Sequence, residues 1–212
     1  MVAVLCLPAI AFAAKRVDVT TTEKTGFAPG GTVRIEGSTG EVNIEGWDKP
    51  TVEVEVVRSA WFDPGANHEA KAKASLNAIQ VSKKLEGNVL TIATAHKRFT
   101  GTHVNYRIHV PVNTKLVINH GIGDVVVFGV DGDIDATAKT GDLVVQLRDP
   151  AKYQIDAFAK LGSVYSDFNG GTRLRRMHTG ESQSVAAEGP GDAHRISLHV
   201  NHGGISIQKV SV

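Results

Sequence analysis

From residue 32 onward, hydrophobic and polar residues alternate almost without a break. Val33 and Ile35 point one way, Arg34 and Glu36 the other; Val42 and Ile44 alternate with Asn43 and Glu45, and Val52, Val54 and Val56 with Glu53 and Glu55. A period of two, with β-branched residues on one side and charges on the other, predicts half-buried strands. The connections Gly37-Ser38-Thr39-Gly40 and Trp47-Asp48-Lys49-Pro50 consist of residues that tolerate turn dihedrals. Tyr106, Ile108 and Val110 line a further strand, which stops at Pro111 because proline removes a ladder donor. The one helical candidate is residues 68–76, where Asn67 is placed to cap a short helix with Glu69 in its first turn. After it, Glu86-Gly87-Asn88 between two apolar runs predicts a hairpin.

The pattern is most regular in GDVVVFGVDGDIDATAKTGDLVVQL, where Gly-Asp pairs begin at Gly123, Gly132 and Gly141. Inward positions there are Val125, Val127, Ile134, Ala136, Ala138, Leu143, Val145 and Leu147, and the alanines imply a narrow interior. The same grammar returns at Gly162-Ser163 before Val164, and at Gly203-Gly204 before Ile205 and Ile207. Short strands at such even spacing predict an all-β, single-stranded β-solenoid, each rung about 4.8 Å above the last. Residues 169–193 are rich in Gly, Ser and Arg without periodicity, and predict a long excursion or irregular hairpin. Residues 205–212 read as a last strand with an unpaired edge, open to self-association or to a partner strand.

Composition narrows this picture. Aromatics make up 6% of the 212 residues while glycine occurs 22 times, so small and β-branched side chains must fill the interior. A net charge of +1, with both signs intermixed, gives no electrostatic case for a nucleic-acid or acidic-membrane partner. The apolar run in MVAVLCLPAIAFAAKR closes on Ala11-Phe12-Ala13 and predicts a secretory signal peptide over residues 1–13, with a buried N-terminal strand as the weaker reading. No Lys or Arg precedes the run, as expected if the true start lies upstream. Cys6, the single cysteine, follows Leu5 where a lipoprotein box wants a small residue, so no lipid anchor is expected. Residues 14–212 would then form one domain without disulfide or membrane span, exported to the periplasm, the cell surface or beyond.

Three stretches, GTVRIEGSTGEVNIEGWDKPTVEVEVVR, YRIHVPVNTKLVINHGIGDVVVFGVDGDIDATAKTGDLVVQL and HVNHGGISIQKV, resemble the "putative adhesin" family of bacterial exported proteins, a domain of unknown function (DUF4097). The resemblance spans about residues 17–210. It implies a single-domain β-solenoid outside the cytoplasm, without an enzymatic role, and it brings no catalytic residues to this chain.

Several residues still call for chemical readings. Asp124 and Asp142 are expected on successive rungs, with Asp133 across the coil; stacked carboxylates could bind Ca²⁺ or cleave a glycan. The plainer reading is favoured: glycine supplies the corner and the Asp side chain accepts a nearby backbone N–H. Asp131, Asp133 and Asp135 echo a calcium loop, but Ala136 stands where its bend needs glycine. Among nine histidines, His103 and His109 share a strand face, His120 and His202 recur in Asn-His-Gly contexts that suggest equivalent turn positions, and His68-Glu69 lacks the second histidine of a zinc-protease helix. Gly180-Glu181-Ser182-Gln183-Ser184 lacks the final glycine of a nucleophile elbow. Arg173, Arg175 and Arg176 read as a solvated loop face, and Trp47 and Trp61 as rings packed over strand ends that could also stack on sugars. No catalytic, cofactor or metal residue is assigned. The expectation is a non-enzymatic surface-interaction protein for a glycan, envelope polymer or protein; the alternatives are a polysaccharide-active enzyme and an envelope-stress sensor.

Overall fold

The alternation resolves into two facing β-sheets. The computed structural model describes residues 14–37, 39–65, 67–94, 101–148, 153–168, 171–177, 180–187 and 193–210. The expected signal peptide and Cys6 lie outside them. The chain runs β1 (Lys15–Gly26), β2 (Thr32–Glu36), β3 (Val42–Trp47), β4 (Thr51–Phe62), α1 (His68–Asn77), β5 (Val81–Glu86), β6 (Val89–Thr94), β7 (Thr102–Pro111), β8 (Lys115–Ile122) and β9 (Val125–Phe128). It continues through β10 (Ile134–Thr140), β11 (Leu143–Leu147), β12 (Tyr153–Leu161), β13 (Val164–Ser166), β14 (Gly171–Met177), β15 (Gly180–Ala187), β16 (His194–His202) and β17 (Ile205–Lys209). One sheet has eight strands in the order β1-β4-β7-β3-β9-β11-β17-β13, the other nine in the order β14-β15-β12-β16-β10-β8-β2-β6-β5.

Six strands of each sheet are parallel, and they form layers in which one strand of the nine-stranded sheet leads into one of the eight-stranded sheet. In space the layers run β6/β7, β2/β3, β8/β9, β10/β11, β16/β17, β12/β13. The expected winding in chain order is therefore corrected at two places. The β6/β7 layer lies outside β2/β3, and β16/β17 slots between β10/β11 and β12/β13. Antiparallel strands flank the stack: β1 and β4 beside β7, β5 beside β6, and the hairpin β14–β15 beside β12. The aperiodic stretch is thus a regular hairpin over its described residues. Over the described residues the final strand is an interior one, with β11 on one side and β13 on the other, which corrects the expected unpaired C-terminal edge.

All eight inward residues read from the regular region are buried, in one continuous core with Val33, Ile35, Leu116, Ile118, Leu198 and Val200 among others. Ala136, Ala138, Ala157 and Ala159 are all buried in that core. The helix begins at His68 as expected, but Asn67 does not cap it with its side chain. Asn67 instead takes a left-handed conformation, φ 65°, and its carbonyl accepts the Lys71 N–H at 3.0 Å. Leu76 anchors the helix in the core beside β1 and β4.

The corners joining the two sheets need glycine. Gly123, Gly141, Gly203 and Gly162 stand in adjacent layers with φ of 126°, 126°, 139° and 150°. A Cβ on Gly141 would lie 2.1 Å from the Gly123 carbonyl oxygen, and one on Gly162 1.8 Å from that of Gly203. These backbones stack without room for any side chain.

Candidate functional site

The Gly-Asp acids face their neighbouring layers. The Asp142 N–H donates to Asp124 Oδ1 at 2.9 Å, and the Gly204 N–H donates to Asp142 Oδ1 at 2.7 Å. Away from this corner column, Asp133 accepts the Arg195 N–H (3.0 Å) and Lys115 Nζ (3.3 Å). Burial disfavours the Asp133 charge, but the Arg195 amide and Lys115 outweigh it and hold the carboxyl below its usual range. Asp167 does the same for Lys209 (3.0 Å) while Tyr165 donates its hydroxyl at 2.7 Å; chiefly that hydroxyl lowers the Asp167 pKa. These carboxylates brace backbone amides between layers. Asp131 accepts the Tyr153 hydroxyl (3.3 Å), and no group of three or more metal-ligating side chains converges among the described residues.

The two Asn-His-Gly segments are not equivalent, contrary to expectation. His202 directly precedes its corner glycine, is exposed, and pairs with Thr140; His120 lies two residues earlier in register, opposite Ala138, and is buried. Its Nε2–H donates to the Gly40 carbonyl (2.8 Å) and the Ile122 carbonyl (3.1 Å), while Nδ1 is buried without a partner among the described residues. Burial lowers the His120 pKa, against the pull of both carbonyls, so the ring is held neutral.

The outer face of the eight-stranded sheet gathers residues that are far apart in sequence. Parallel register sets Glu45 of β3 beside His109 of β7, with Glu53 of β4 on the other flank of the histidine. His109 Nε2 lies 3.6 Å from Glu45 and Nδ1 3.8 Å from Glu53. The Trp47 ring stacks on His109 at 4.9 Å and 18°, its indole N–H fixed on the Thr51 carbonyl (2.8 Å), with Lys49 Nζ 4.7 Å from the ring centre. Lys24 holds Glu53 at 2.7 Å, chiefly lowering its pKa, and Arg107 holds Glu55 at 3.0 Å. Beside this cluster opens a shallow groove of about 280 Å³ lined by Asn43, Glu45, Arg107, His109, Val126 and Phe128.

A second shallow concavity, about 250 Å³, holds His103 with Arg16, Glu41, Asp124 and Trp61, whose ring is 58% exposed. His103 and His109 thus share a strand face but line different depressions. Arg173, Arg175 and Arg176 lie on β14, opposite Ser184, Ser182 and Glu181, so they belong to a strand and not to a loop. Gly180 to Ser184 begins β15 and has no strand-to-helix setting. The Trp47–His109–Glu53 grouping escaped the sequence because nothing local announces that β3, β4 and β7 are neighbours. Their matched alternation was the one available signal.

The fold has solved counterparts. A "putative cell adhesion protein" from Clostridium sporogenes is similar over 91% of this chain and 100% of its own, with a TM-score of 0.53 at 10% identity. At that identity the likeness shows the fold alone. "Putative adhesins" from Parabacteroides distasonis (13% identity, 90% of this chain and 65% of that one, TM-score 0.33) and Parabacteroides merdae (9%, 91% and 96%, 0.32) align more loosely and add no argument. No family model matches the chain, nor does any curated protein. Among the described residues, no helix is long and apolar enough to cross a membrane.

Proposed function

We propose that this chain is an exported, non-catalytic interaction module of the adhesin type, a two-sheet variant of the β-solenoid whose eight-stranded sheet presents the contact face. Residues 1–13 act as its signal peptide, and the mature domain works in the periplasm or at the cell surface. One observation carries the reading. The acids most suited to catalysis, Asp124 and Asp142, serve backbone amides of adjoining layers, whereas Asn43, Glu45, Arg107 and Phe128 line an open groove. The adhesin-type neighbours agree with this assignment at the level of fold.

The test is binding of the purified chain to arrays of glycans, envelope polymers and envelope proteins. Its comparison is a triple variant, Asn43→Ala, Arg107→Ala and Phe128→Ala. Binding that falls at least about tenfold in the triple variant, with unfolding unchanged, supports the face as the contact surface. Equal binding by both proteins, or glycan cleavage that disappears in Asp124→Asn/Asp142→Asn without unfolding, refutes it. Export is read separately, from a reporter carrying residues 1–13.

A further inference from the structure

The geometry points to a neutral, hydroxyl-rich linear glycan as the ligand, lying across β3, β9, β11 and β17 along the stacking axis. The register sets two parallel rows on this face. One reads Glu45, Phe128, Gln146, Gln208; the other reads Asn43, Val126, Val144, Ser206, Tyr165. Each step within a row crosses one strand, about 4.8 Å, which is close to the advance per sugar of an extended glycan. Phe128, Val126 and Val144 form an apolar centre suited to the C–H face of a pyranose ring. Amide, hydroxyl and carboxylate groups continue the rows on both sides, where equatorial hydroxyls would project.

The polar side chains are oriented before any ligand arrives. Gln146 Nε2 donates to Gln208 Oε1 at 3.0 Å, and Gln208 Nε2 to Ser206 Oγ at 3.0 Å. Such preorganisation lowers the ordering cost of binding. Charge argues for a neutral occupant. Arg107 is matched by Glu55 and Lys24 by Glu53, while His109 stands between Glu45 and Glu53. The face therefore presents compensated pairs and not a field of one sign, so it offers a charged polymer no net attraction.

This inference rests on the reading of the same face as the contact surface, and the experiment separates the two. The purified chain is titrated calorimetrically with cello-, chito- and xylo-oligosaccharides of two to six sugars. Affinity should rise with each sugar up to about four, the number of strands crossed, and then level off. Phe128→Ala should weaken every length about tenfold. Gln208→Ala should weaken the tetrasaccharide at least about threefold more than the disaccharide, since only the longer chain reaches β17. No binding by any of these sugars, binding independent of length, or binding indifferent to Phe128→Ala overturns the glycan assignment. If immobilised envelope proteins are nevertheless bound and released by Phe128→Ala, the glycan falls and the contact face stands. If neither binds, both fall.

Discussion

The glycine corner and the outer face of the eight-stranded sheet use similar polar residues to opposite ends. At the corner, Asp124 and Asp142 turn their carboxylates onto amides of the next layer, and the backbones beneath stack too closely for a Cβ. On the sheet, Glu45, Arg107 and Asn43 line a groove and, among the described residues, meet the side chains of His109, Glu55 and Glu41. A carboxylate is scaffold where a neighbouring backbone donor consumes it, and available for recognition where only side chains compete. That contrast separates the two regions better than residue type does.

The contrast breaks most sharply at Gly141. Gly141→Ala adds a Cβ to a φ of 126° and drives it against the Gly123 carbonyl, so a loss of about 3 kcal/mol or more is expected in urea unfolding. A milder disturbance is Asp142→Ala, which leaves the Gly204 N–H to solvent. It should cost about 1 kcal/mol, with Asp142→Asn recovering most of it, as read by thermal melting. His120 adds a pH dependence confined to the corner. Its folded pKa lies below 6.5, so the unfolded chain takes up the proton first. Stability should be level above about pH 6.5 and decline as pH falls toward the lowered folded value. A His120→Gln variant should lose that slope in melting curves between about pH 7 and pH 5. The smallest effect belongs to the sheet face. Phe128→Ala should shift stability by no more than about 1 kcal/mol while weakening ligand binding about tenfold, and a larger loss of stability would make Phe128 part of the scaffold.

Much of this architecture was legible, and for identifiable reasons. The inward set from Val125 to Leu147 was readable because a period of two leaves only one way to bury β-branched residues. The corner role of Asp124 and Asp142 followed from glycine spacing, because the same turn recurs at the same rung. Layer order was not legible. Gly123, Gly141, Gly162 and Gly203 carry the same corner signal, and nothing in it says which layer lies beside which. The grouping on the outer face was hidden for a related reason: Trp47 and His109 stand far apart in sequence, and only the parallel pairing of β3 with β7 joins them. The apparent likeness of Asn119-His120-Gly121 and Asn201-His202-Gly203 misled because a two-residue register offset sends one ring into the core and the other into solvent.

The late insertion of β16/β17 between earlier layers also constrains how the molecule is made. A spiral laid down in order could add turns one by one as the ribosome delivers them. Here β12 and β13 find their parallel neighbours only after residues 194–209 have emerged, so the β16/β17 layer joins β12/β13 to the four layers made before it. That segment works as a keystone: without it, β10 and β11 would keep bare flanks, and a nascent chain would stay open to chaperones until those residues are delivered.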